Sequence, residues 1–206
     1  MSDEVFGPFV LDEEVQSAIV DTVTTWMPTY LARIERKLEL EAESLPLPAS
    51  YALADHGALA DVPDEQLPCV AVLCPMSGEK PPRQDSYGNN VVSYLLNLTA
   101  IVTGADQAAA DLLASRYRKA LELILVQQPS LGGLTEGVIF KGWHELLLEP
   151  AEPRDIAGRI AVFEVLVPNA VQAGAGLKAP RDEPYEQAEW PTVEEVDVSL
   201  EPTEAT

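Results

Sequence analysis

Asn90-Val-Val-Ser-Tyr-Leu-Leu-Asn-Leu-Thr-Ala-Ile-Val-Thr103 runs through Gly104-Ala105-Asp106 into Gln107-Ala-Ala-Ala-Asp-Leu-Leu-Ala-Ser-Arg-Tyr-Arg-Lys-Ala-Leu-Glu-Leu-Ile-Leu-Val-Gln127. The first part alternates. Val92, Tyr94, Leu96, Leu98, Ala100 and Val102 fall on one side, which is the period of a strand with one buried face. Gly104 ends it, and the period then changes. Ala109, Leu112, Leu113, Tyr117, Ala120, Leu121, Ile124 and Leu125 recur at three- and four-residue steps, as on an amphipathic helix. Asp106 stands where an N-cap belongs and Pro129 closes the run.

Moving outward, Cys69 to Cys74 is a short β-branched apolar run and predicts a strand. Between it and Asn90, Gly78, Pro81, Pro82 and Gly88 mark a long hairpin loop. Leu45 to Pro68 reads as irregular, punctuated by Pro46, Pro48, His56-Gly57, Pro63 and Pro68. Before that, Val15, Ile19, Val23, Trp26, Met27, Tyr30, Ile34 and Leu38 trace one face of a helix from about Asp12 to Ala42. Its first turn is acidic, as the helix dipole favours. Pro28 lies inside it and predicts a kink or break. Downstream, Leu131-Gly132-Gly133 is a turn. Strands at about Gly137–Leu148 and Arg159–Val167 follow, joined by a turn at Pro150–Asp155.

The order α-β-β-α-β-β predicts an α+β fold. We expect an antiparallel four-stranded, or slightly larger, sheet with two main helices packed on one face. Residues 1–169 form that domain. Residues 170–206 change composition: Pro and Glu dominate, and large apolar residues are few. Such a segment does not bury enough surface to fold alone and is expected to be extended or disordered. It reads as a solvated tail, or as an arm that orders by laying Tyr185, Trp190 and Val196 on a neighbouring subunit.

Charge excludes several functions. The chain carries 34 acidic and 13 basic residues in 206, a net charge of −21. Gripping DNA through its phosphates needs clustered Lys and Arg, and the same acidity opposes anionic membranes. Met1 to Glu14 is acidic where a secretory leader is basic, and no apolar run approaches the roughly 18 residues of a bilayer span. A cytoplasmic chain is expected. Cys69 and Cys74 read as reduced cysteines acting as small hydrophobes.

Catalytic signatures are missing from the sequence. His56 and His144 have no partner at metal-ligand spacing, and no nucleophile-elbow, Walker or dinucleotide-binding motif occurs. The carboxylates read as a solvated acidic surface. We expect no enzyme activity, no catalytic residue, no metal and no cofactor.

The order of elements resembles the tail terminators of long-tailed actinobacterial phages. The resemblance covers roughly Asp12 to Asn169. A leading helix is followed by Asp64-Glu-Gln-Leu-Pro-Cys-Val-Ala-Val72, which enters the first strand. The loop Pro82-Arg-Gln-Asp-Ser-Tyr-Gly88 comes next. An alanine-rich helix from Ala105 to Gln128 leads to the Pro129-Ser-Leu-Gly-Gly133 turn, and Gly158-Arg-Ile-Ala-Val-Phe-Glu-Val165 closes the pattern. The resemblance implies a hexameric ring on the tail tube of the virion. It ends tube polymerisation and meets the tube protein and a head-side connector or stopper. DNA passes through its lumen without specific binding, so a neutral or acidic channel wall is expected. Lys80, Arg83 and Tyr87 in the long loop are the candidate contacts to the tube or a neighbouring subunit, beside the plainer reading of a mobile loop. Two other readings stay open: a different neck protein of the same particle, and a soluble binding module or small enzyme with no phage link.

Overall fold

The computed structural model describes residues 10–40, 45–54, 62–73, 76–77, 83–84, 89–148 and 155–172. Helix α1 spans Asp12–Leu38, and α2 spans Gln107–Gln127. The strands are β1 (Ser50–Ala54), β2 (Cys69–Leu73), β3 (Met76–Ser77), β4 (Arg83–Gln84), β5 (Asn89–Thr103), β6 (Gly137–Leu146) and β7 (Ile156–Gln172).

β5 is the spine. Its 15 residues pair antiparallel with β7 along nearly their whole length, from Thr103↔Ile156 to Asn89↔Gln172. On its other side β2, β3 and β4 pair with it in succession. Five strands stand in the order β1-β2-β5-β7-β6. The sheet is mixed rather than wholly antiparallel. The four expected strands stand side by side as β2-β5-β7-β6, and β1, which falls inside the stretch expected to be irregular, adds parallel to β2.

Both helices cover one face. Val92, Tyr94, Leu96, Leu98, Ala100 and Val102, the alternating set of β5, meet Ala161, Phe163, Val165 and Val167 of β7. Above them pack Val15, Ile19, Val23, Met27 and Leu31 of α1 and Tyr117, Leu121, Ile124 and Leu125 of α2. Burying each of these large side chains is worth roughly 1.5–3 kcal/mol. Cys69, Ala71 and Leu73 point the other way, into a smaller cluster with Ile101 and Ile156.

Helix starts follow their local chemistry. The Asp106 carboxylate accepts from the Ala109 amide at 2.7 Å, as its position predicts. The Glu14 carboxylate accepts from the Leu11 amide at 2.7 Å. Gly104 allows α2 to begin hard against the end of β5. A Cβ there would lie 2.4 Å from the Ala110 nitrogen and 2.9 Å from its Cα, both of them backbone.

Three expectations need correction. α1 does not break at Pro28 but runs through it as one helix, because Pro28 is exposed while Val23, Met27 and Tyr30 around it are buried. The carbonyl freed by the proline faces water, and the packed stripe continues on the other side. α1 also stops at Leu38, where Glu39 adopts a left-handed conformation at φ 51°, short of Ala42. β7 extends to Gln172, five residues past the expected end of the last strand at Val167.

Candidate interaction surfaces

β6 is the last strand on its side of the sheet and pairs only with β7 among the described residues. Lys141 is an extra residue in it. Phe140 pairs with Phe163 and Gly142 with Val162, so the ladder bulges between them, with Gly142 at φ 151°. Phe140 and Trp143, three residues apart, therefore both face the helices. Lys141 turns to the opposite face, where its Nζ stands 3.5 Å from Glu164 Oε2. Glu164 is 1% exposed, and Ser93 Oγ donates to its other oxygen at 2.6 Å. A charge so buried is held by ionic and charge-assisted contacts, which makes this pair structural.

Two guanidinium groups stand over the Trp143 ring. Arg118 of α2 lies 5.3 Å from its ring centroid, and Arg159 of β7 lies at 5.6 Å. Acidic groups anchor both arginines: Arg118 to Glu122 at 2.8 Å, and Arg159 to Glu145 at 2.8 Å and Asp111 at 3.7 Å. The indole nevertheless remains 48% exposed, and Ile139 on the same strand is 39% exposed. An edge strand with no second strand partner among the described residues, an exposed aromatic ring and arginines has the chemistry of a protein contact.

A second surface lies on the outer side of the helix layer. α1 and α2 run antiparallel. At one end the Tyr30 hydroxyl donates to Gln127 Oε1 at 2.8 Å. Beyond that contact a groove of about 480 Å³ opens, lined by Arg33, Ile34, Lys37, Leu112, Arg116 and Leu123, with Lys119 and Leu38 at its margin. Its floor is aliphatic and its rim cationic. Lys119 is paired with Glu122 at 2.5 Å, and Arg33 reaches Gln127 at 3.4 Å. Lys37 and Arg116 form no ion pair among the described residues, and the Arg116 Nε is buried without a hydrogen-bond partner.

Four phenol or thiol groups are tuned by burial. Desolvation pushes the Tyr117 phenol far up, and neighbouring Tyr51 adds to the effect. Its hydroxyl donates to the Pro46 carbonyl and ties α2 to the segment entering β1. Burial also raises Tyr51 and Cys69. Tyr94 is raised by burial first, then by the nearby Asp12 carboxylate.

Among the residues singled out from the sequence, Arg83 is in β4, where its backbone pairs with Val91. Lys80, Tyr87, Tyr185, Trp190 and Val196 lie outside the described residues, as do His56 and Cys74. His144 is exposed on β6 and Cys69 is buried. Among the described residues no group of three or more His, Cys, Asp or Glu is placed to hold a metal ion, and no helix is long and apolar enough to cross a membrane. Sequence reading missed both surfaces described here. The groove left a trace in the paired cations Arg33 and Lys37 on one helix and Arg116 and Lys119 on the other. No family model matches the chain, and no curated protein matches it.

Proposed function

We propose that this protein is a structural ring subunit that caps a phage tail tube and joins it to the head-side connector. The observation that carries the reading is the open β6 edge, with Ile139 and Trp143 exposed beside it. At the other side of the sheet, β1 pairs only with β2 among the described residues. Two unlike sheet borders on opposite sides of one subunit favour a head-to-tail contact, and such contacts close into rings when the rotation is right. The order of elements and the Leu131-Gly132-Gly133 turn support the tail-terminator type, in which six copies form the ring. The acidity of the chain suits a channel through which DNA slides without being held.

Electron microscopy of the purified chain, alone and mixed with tail tubes, tests this. The expected particle is a six-fold ring of the 22.3 kDa chain seated on tube ends. Replacing Ile139 with Lys should abolish the ring and leave the melting temperature unchanged. A twelve-fold ring on the head side would move the protein to another place in the neck. A monomer that ignores tube ends would end the proposal.

A further inference from the structure

The groove between α1 and α2 gathers cations in a chain that has few of them. Four of the 13 basic residues, Arg33, Lys37, Arg116 and Lys119, line it. Two of them, Lys37 and Arg116, find no acidic partner among the described residues. Leu38 and Leu112 leave apolar surface in the open at 47% and 54% exposure. Single exposed leucines are ordinary, but an aliphatic floor inside a cationic rim fits an occupant that is both apolar and acidic.

The chain itself carries such a segment. Asp182 to Glu204 contains nine Asp or Glu residues and no Lys or Arg. Interleaved with them are Tyr185, Trp190, Val193, Val196, Val198 and Leu200. An acidic segment with large apolar side chains at intervals can place those side chains on the floor and its carboxylates on the rim. We propose that the C-terminal segment Asp182–Glu204 of a neighbouring copy docks in the α1–α2 groove. Its carboxylates would meet Lys37, Arg116 and Lys119.

The choice of neighbour follows from where the described chain ends. Gln107 Nε2 donates to the Ile156 carbonyl at 3.1 Å, which fixes the start of α2 at the start of β7. The loop after α2 meets β7 again where the Glu136 amide donates to Leu166 at 2.9 Å. α2 thus runs along β7 over that interval. Gln172 stands six residues farther, about 20 Å past the last β6 pairing at Leu166. Arg116, nine residues into α2, lies on the order of 40 Å back from Gln172. Docking within one chain would require roughly the first dozen arm residues to retrace the body fully extended. A neighbour set against the projecting end needs no such return. The inference rests on the ring reading only for the supply of that neighbour.

The test uses the full chain. Unlabelled and nitrogen-15-labelled protein are mixed under conditions that exchange subunits, then coupled with a zero-length carbodiimide and digested for mass spectrometry. The expected result is cross-linked peptides joining Lys37 or Lys119 to carboxylates of Asp182–Glu204, with one heavy and one light partner. Arg116→Glu should cut their yield about tenfold, and adding Glu194→Lys with Glu195→Lys should restore links through the reversed charges. Circular dichroism melts of each variant should match the parent. Links between equal masses only would assign the groove to the same chain's arm and overturn the proposal. So would the absence of arm links, or protection of Lys37 and Lys119 from acylation by duplex DNA. Particles of ring mass without these links would sink the arm and leave the ring. Mixed links in a particle that is no closed ring would do the reverse.

Discussion

Thr99 is fully buried on β5, and its hydroxyl has no hydrogen-bond partner among the described residues. A buried hydroxyl without a partner gives up its water contacts for nothing. Thr99→Val keeps the shape and removes that cost. The expected change is a gain of about 1 kcal/mol, read from the urea midpoint at unchanged m-value; a loss of stability would show that the hydroxyl is satisfied. Tyr117 makes the opposite kind of residue, a polar group whose burial has a partner. Its folded pKa is raised above the ordinary 10.0 by desolvation. Its contribution is therefore complete below pH 10. It is lost as pH rises above that value, because the unfolded phenol ionises while the folded one keeps its proton. The decline should approach about 1.4 kcal/mol per pH unit for each such tyrosine. Urea midpoints between about pH 9 and 11 should fall less steeply for Tyr117→Phe than for the parent; equal slopes would refute the assignment.

Among the elements, β5 and α2 were legible from sequence because each carries its own period and its own stop signal. Gly104 and Asp106 mark a boundary that needs no tertiary information. β1 was not legible. Ser50-Tyr-Ala-Leu-Ala54 lacks alternation and lies among prolines, and its strand character comes from parallel pairing with β2, a partner distant in sequence. Pro28 misled for a related reason. A proline costs an isolated helix about 3 kcal/mol, but α1 is held by buried residues on one side, while the proline faces water on the other. Pro28→Ala should therefore stabilise the protein by about 1–3 kcal/mol in chemical denaturation. No gain would mean that the helix already accommodates the pyrrolidine without strain. The candidate surfaces were hidden for a geometric reason. Arg33 and Lys37 lie far in sequence from Arg116 and Lys119, and only the antiparallel packing of α1 on α2 sets the two pairs across from each other.

At the scale of the whole molecule, a net charge of −21 coexists with one cationic groove. Long-range repulsion should dominate the approach of a polyanion such as DNA, since the four groove cations are far outnumbered by surrounding carboxylates. The full chain at micromolar concentration should leave the anisotropy of a labelled duplex unchanged at physiological salt. Saturable, salt-sensitive binding would contradict both the sliding-channel reading and the arm assignment.

The sheet counts in twos, and Lys141 is the one place in β6 where it is allowed to miscount. Between Gly137 and Phe140, one residue more or less with no bulge to absorb it would turn every later side chain to the other face and send the tryptophan away from its arginines. At the bulge the surplus residue is set aside from the tally, so the phase before it and the phase after it agree. The border of the subunit can thus deliver an ammonium group to a carboxylate on one face and still hold its aromatic ring against two guanidinium groups on the other, using a single strand with no change of step.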